Sequence, residues 1–115
     1  MTAQVTYVNA PDGVAHTADT VRRMAKLARD GAHTYTIRSH ATRITHDVPS
    51  KDTQGELAAI YRWVRDNVRY RFDPLGLEWV QSPERTLKER AGDCDDIAVL
   101  ISALVQALGH KTRLQ

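Results

Sequence analysis

The stretch from Cys94 to Leu108 constrains this chain most. Ile97, Leu100, Ile101, Leu104, Val105 and Leu108 recur at spacings that place them on one face of a helix. Ala98 and Ala103 make much of the remaining circumference apolar as well. Such a helix must be buried on more than one side. The rest of the chain therefore has to be arranged around it. Gly109 ends the run, and 111–115 begins a candidate strand.

Upstream, the patterning predicts further helices. Residues 1–14 alternate weakly and read as a short strand or loose arm, with a turn signal at Asp12-Gly13. The spacing of Val21, Met24, Ala25 and Ala28 predicts a helix over 17–30, with Thr17 as its cap and Gly31 as its left-handed stop. A weaker helix over 35–46 carries Ile37, Ala41 and Ile44 on one side. It breaks at Asp47 to Ser50, because the residue before Pro49 is pushed out of the helical region. A stronger helix over 53–68 shows the stripe Leu57, Ile60, Tyr61, Val64 and Val68, with Asp52 or Thr53 as N-cap. Tyr61, Trp63 and Tyr70 are read as core or helix-flank residues. Tyr70-Arg71-Phe72 reads as a short extended piece, and 75–81 as a loop. Ser82-Pro83 opens a short helix that ends near Arg90.

Composition narrows the function classes. At 115 residues the chain holds one domain. Its net charge is only +2, and its arginines alternate with acids instead of clustering, which argues against a nucleic-acid partner. One cysteine permits no internal disulfide and fits a reducing, cytoplasmic compartment, in a bacterium or an infecting phage. The first residues show no basic-then-apolar pattern of the kind a signal segment carries, and no apolar run approaches the ~20 residues of a membrane span. The aspartates around Cys94 have no histidine at ligand spacing, so no metal and no cofactor are expected.

The chemistry concentrates in Gly92-Asp93-Cys94-Asp95-Asp96, where a loop enters the apolar helix. A thiol there meets the positive end of the helix dipole and the free N–H groups of the first turn. Both favour the thiolate, so a lowered thiol pKa is expected. The same N–H groups suit an oxyanion. Gly92 lets a substrate approach the sulfur closely. Asp95 and Asp96 suit the first turn of a helix but oppose a thiolate, so both are expected to point away from the sulfur. The competing reading is that Cys94 is simply a small buried hydrophobe.

The order of several segments adds to this. Leu57-Ala-Ala-Ile-Tyr-Arg-Trp-Val-Arg-Asp-Asn-Val-Arg-Tyr70 is followed by Gln81-Ser-Pro-Glu-Arg-Thr-Leu87. Gly92-Asp-Cys-Asp-Asp-Ile-Ala98, the apolar helix, Gly109 and the Arg113 region come next. In these pieces the chain resembles the transglutaminase-like superfamily, in its bacterial and phage branch. The resemblance covers about half the chain; 1–50 fits the variable N-terminal helical region and 51–115 the core helices. It implies an α+β, papain-like fold, in which the nucleophile helix packs on a small antiparallel sheet. It also implies acyl transfer at peptide or glutamine amides, as hydrolysis or as transfer to an amine. Cys94 matches the nucleophile of the family's Cys-His-Asp triad.

The triad's His and Asp are expected on strands beyond Arg113 and not in this chain. The fragment is therefore mainly α and expected to be inactive in amide hydrolysis. Its five histidines are read as surface residues. His110 lies past the far end of the Cys94 helix, roughly 20 Å from the thiol at about 1.5 Å per residue. Related folds place a Trp or Gln in the oxyanion hole, which makes Trp79 and Gln81 candidates to line the site with Gly92 and Asp93. Packing against the core is the alternative for Trp79. A peptide or protein is the expected substrate. With the sheet missing, the apolar face of 94–108 is expected either to self-associate or to be covered by the N-terminal segment. The alternative function is a non-catalytic interaction or structural module of phage origin, retaining the helical half of the fold.

Overall fold

Helix α5 (Cys94–Ala107) runs through the centre of the molecule, and every other helix packs on it. The computed structural model describes residues 11–71 and 80–110, without the side chains of 11–17. Within them the order is α1 (Pro11–Ala32), α2 (Tyr35–Ile44), α3 (Thr53–Asn67), β1 (Arg69–Tyr70), α4 (Pro83–Glu89), β2 (Ala91–Gly92) and α5. The described chain is thus mostly helical with one short two-stranded sheet. Among the described residues no helix is long and apolar enough to cross a membrane.

The apolar circumference of α5 is divided between two groups of neighbours. Val99 is closed off with Met24 and Ala28 of α1. Leu100, Ala103, Leu104 and Val105 pack with Ile37 and Ala41 of α2, Ile60 and Val64 of α3, Val68, and Leu87 of α4. The N-terminal helix therefore covers the Val99 side of α5, opposite the stripe that carries Leu104 and Leu108. Ile97, Ile101 and Leu108 are half-buried at the border of this core. On α3 the predicted stripe is only partly right. Ile60, Val64 and Val68 are buried, but Leu57 and Tyr61 are 41% and 58% exposed. Tyr70 is also exposed.

The first helix departs most from expectation. It begins at Pro11, which suits a first helical position, so the turn signal at Asp12-Gly13 and the cap at Thr17 give way to one long helix. The part of the predicted arm that precedes Pro11 lies outside the described residues. Gly31 is not the stop; it lies inside α1. Its missing side chain serves packing, because a Cβ there would sit 2.6 Å from Cγ of buried Pro83. The chain turns instead at Thr34. Its hydroxyl donates to the Gly31 carbonyl at 2.8 Å and accepts from Ile37 N–H as the cap of α2. We expect Gly31→Ala to cost about 1–3 kcal/mol, the usual range for overpacking a tight contact. Urea denaturation checks this, and an unchanged midpoint would show that α1 can lift from α4.

The other caps follow the sequence. Asp52 caps α3, accepting from Gly55 N–H at 3.0 Å. Ser82 caps α4 with Pro83 in its first turn. Helix α4 ends on Arg90, a non-glycine residue in the left-handed region with φ of 56°. Its guanidinium lies 4.7 Å from the centroid of the Trp63 ring, a contact that offsets the backbone strain. This turn delivers Ala91 and Gly92 as β2, read above as loop, parallel to β1 with Arg69 opposite Ala91 and Tyr70 opposite Gly92.

Two histidines are not simple surface groups. His40 is half-buried and meets Trp63 edge-on, with centroids 6.1 Å apart. His110 is half-buried and lies 2.8 Å from Oε1 of Glu56, tying the far end of α5 to the first turn of α3.

Candidate active site

The start of α5 is built by two aspartates. Asp93, the N-cap, accepts from Asp96 N–H at 3.0 Å, and Asp96 Oδ2 accepts in return from Asp93 N–H at 3.0 Å. This is a capping box with Asp in place of the usual Glu. Asp96 reaches further. Its Oδ1 accepts from Gln81 N–H at 2.7 Å and its Oδ2 from Gln81 Nε2 at 3.2 Å. Asp96 is 5% exposed. Burial pushes its carboxyl above the ordinary value, against the opposite pull of the Gln81 and Asp93 backbone N–H groups. The sequence gives no sign that this residue is the hub; it shows only a second acid in a helix's first turn.

Gln81 is buried, and its carboxamide is occupied. Besides Asp96, Nε2 lies 3.2 Å from both the Thr86 hydroxyl and the Ala91 carbonyl. Its Oε1 accepts from Arg71 at 3.2 Å, and Arg71 also pairs with Glu89 at 2.8 Å. Arg85 holds the other oxygen of Glu89 at 2.8 Å, and together the two arginines keep that carboxyl below its usual value. A continuous polar chain thus runs from α4 through Arg71, just after β1, and Gln81 to the first turn of α5. Gly92 sits against the same hub: a Cβ there would lie 2.6 Å from Asp96 Cβ. Close backbone approach at Gly92 therefore serves Asp96 directly. Trp79 and Arg113 lie outside the described residues.

Cys94 is the first residue of α5 and is exposed, which separates it from a buried structural cysteine. Asp96 points away from its sulfur, as expected. Asp95 does not: the thiol lies 3.9 Å from Asp95 Oδ1. The cover over the sulfur raises the thiol pKa first, and the charges of Asp95 and Asp93 raise it further. The backbone N–H groups of Asp95 and Cys94 pull it back, but the net shift is upward. The lowered pKa expected from the helix dipole is thus corrected, because burial of the sulfur, joined by the charges of Asp95 and Asp93, outweighs the pull of the first-turn N–H groups.

The direction has a consequence for reactivity. A raised pKa means less thiolate at neutral pH, so iodoacetamide should modify Cys94 more slowly at pH 7.5 than it modifies a free cysteine. The midpoint of the rate against pH should lie above ~8.5. Asp95→Asn should move that midpoint down by removing one carboxylate. A wild-type midpoint below that of free cysteine would contradict this electrostatic picture.

No curated protein and no solved structure matches the chain significantly. The sequence profile of the transglutaminase-like superfamily matches residues 38–115, which include α3, β1, the Gln81–Asp96 hub and Cys94. The match covers more than half the chain, from within α2 to its last residue, and on that ground the chain belongs to the transglutaminase-like superfamily.

Proposed function

We propose that Cys94 is the nucleophile of a cysteine enzyme that acts on amide bonds of peptides or glutamine side chains. The carrying observation is the exposed thiol on the first residue of a capped helix, within the segment that matches the superfamily. In this reading α5 is the nucleophile helix of a papain-like fold. A His and an Asp on strands that follow α5 complete the triad. The His takes the thiol proton as the sulfur attacks the amide carbonyl. The N–H groups of Cys94 and Asp95, which face the sulfur, stabilise the oxyanion. Collapse expels the amine with that proton and leaves a thioester, which water or a second amine then takes up. The raised thiol pKa supports the need for a base, since the resting sulfur is protonated. Gln81 serves as scaffold instead of oxyanion donor, because its carboxamide is already engaged. A cytosolic setting in a bacterium or phage-infected cell fits the single free thiol.

The test uses the complete reading frame and a panel of peptide amides, reading amine release together with acid-quenched thioester on Cys94. Release should vanish in Cys94→Ala, and the thioester should map to Cys94. Persistent release in that variant would overturn the assignment. The second reading is a non-catalytic interaction module. It is favoured by Asp95, which opposes the thiolate that a nucleophile needs. No release from the complete frame would select it.

A further inference from the structure

We propose that the exposed face of α2 is a docking groove for an acidic peptide segment. The groove has a volume of about 630 Å³ and is lined by His33, Tyr35, Arg38, Thr42, Arg43 and His46 among others. It lies opposite the face of α2 that Ile37 and Ala41 bury in the core.

Its charge is one-sided. The sequence holds no carboxylate between Asp30 and Asp47, while Arg38 and Arg43 lie within that span. Among the described residues neither arginine meets a carboxylate in an ion pair. Elsewhere among the described residues about half of the cations are matched; Arg29, Lys51, Arg62, Arg69 and Lys88 hold no carboxylate either, but none of them lines this groove. Arg22 and Arg23 hold Asp19, Arg65 holds Asp66, and Arg71 and Arg85 hold Glu89. The two acids that border this span in sequence have partners of their own: Asp30 pairs with Lys26 at 2.7 Å, and Asp47 lies 3.2 Å from His46 Nδ1. Two guanidinium forks are therefore left facing solvent on one groove, and planar carboxylates match them in pairs.

An extended peptide fits better than other polyanions. From Tyr35 to His46 the groove runs about 16 Å, the length of roughly five extended residues. The Ser39 and Thr42 hydroxyl hydrogens are used by the Thr36 and Arg38 carbonyls, so these groups do not donate to a ligand. Tyr35, 84% exposed, is joined only by the imidazoles of His33 and His46 as rings in the lining, and no Trp or Phe widens that platform for successive bases. A net charge of +2 is also low for holding a phosphate backbone. The choice of a peptide rests on the amide chemistry proposed above, and the groove would engage the substrate away from Cys94.

The experiment measures binding alone, in the chain carrying Cys94→Ala, so it stays separate from any failure of catalysis. The probe is a fluorescein-labelled deca-glutamate, read by anisotropy at low salt. We expect saturable binding that R38A/R43A weakens at least tenfold. R22A/R23A removes the same charge from α1 and should change it less than twofold. Both pairs are exposed, so folding is not at issue. No binding, or equal weakening by both double variants, would overturn the groove. Tighter, Arg38- and Arg43-dependent binding of a single-stranded oligonucleotide of the same charge would overturn the choice of a peptide.

Discussion

Asp96→Ala should destabilise the protein by about 3 kcal/mol, although Asp96 touches neither the sulfur nor the main apolar core. The alanine leaves the Gln81 and Asp93 backbone N–H groups and the Gln81 Nε2 amide without their carboxylate acceptor. An unsatisfied buried donor costs about 1–3 kcal/mol, and loss of a helix cap about 1. The simple sum is higher, but deleting a buried carboxyl also removes its own desolvation cost, which works the other way. Asp96→Asn sharpens the test. It keeps one acceptor oxygen but turns an amide NH2 toward N–H groups that need acceptors, so it should recover less than half of the loss. Urea unfolding of the three proteins at pH 7 decides. An asparagine variant as stable as wild type would mean that the carboxyl is not acting as an acceptor for these groups. In the alanine variant, local hydrogen exchange should rise first at Gln81 and Asp93, whose amides lose their acceptor.

The same hub shows where reading from sequence reaches its limit. Short-range rules found Ser82 as a cap, Asp52 as one of two candidate caps, and the central apolar helix, because each depends on neighbours within a few residues. The thiol's position at the first residue of α5 was legible for the same reason. Its pKa direction was not. The helix dipole is visible in sequence, but the side-chain torsion that puts Asp95 3.9 Å from the sulfur is not. Gln81 and Asp96 are separated by a loop and a whole helix, so their bond has no sequence signature. Gly31 illustrates a different failure. A glycine near a helix end reads as a stop, yet here it records the approach of Pro83 from α4. Arg90 is the converse, a left-handed stop without glycine, held by its stacking on Trp63. At Gln81, Gly31 and Arg90 the deciding contact joins residues far apart in the chain, whereas Cys94 and Asp95 are neighbours whose side-chain torsions decide.

Leu104→Ala and Leu57→Ala make the second test, because the same chemical change should differ several-fold between two helices that the sequence treats alike. Both leucines sit on apolar stripes. Leu104 is 0% exposed, packed where α2, α3 and α4 converge on α5, whereas Leu57 is 41% exposed at the start of α3. Truncating a fully buried leucine forfeits its transfer free energy and opens a cavity, about 2–5 kcal/mol in well-packed sites. Leu104 should lie in the upper half of that range, since residues from several helices surround it and none can follow the lost atoms without leaving another contact. Leu57 should cost less than about 0.5 kcal/mol, with alanine's better helix propensity offsetting part of the lost cover. Urea midpoints at constant slope measure both. Equal losses would mean that α3 is rotated to bury Leu57, and the 2.8 Å contact between Glu56 and His110 would then be misplaced as well, because Glu56 is its neighbour on the same turn. A small loss at Leu104 would mean that the neighbouring helices close over the gap, which a rigid cluster around α5 does not allow.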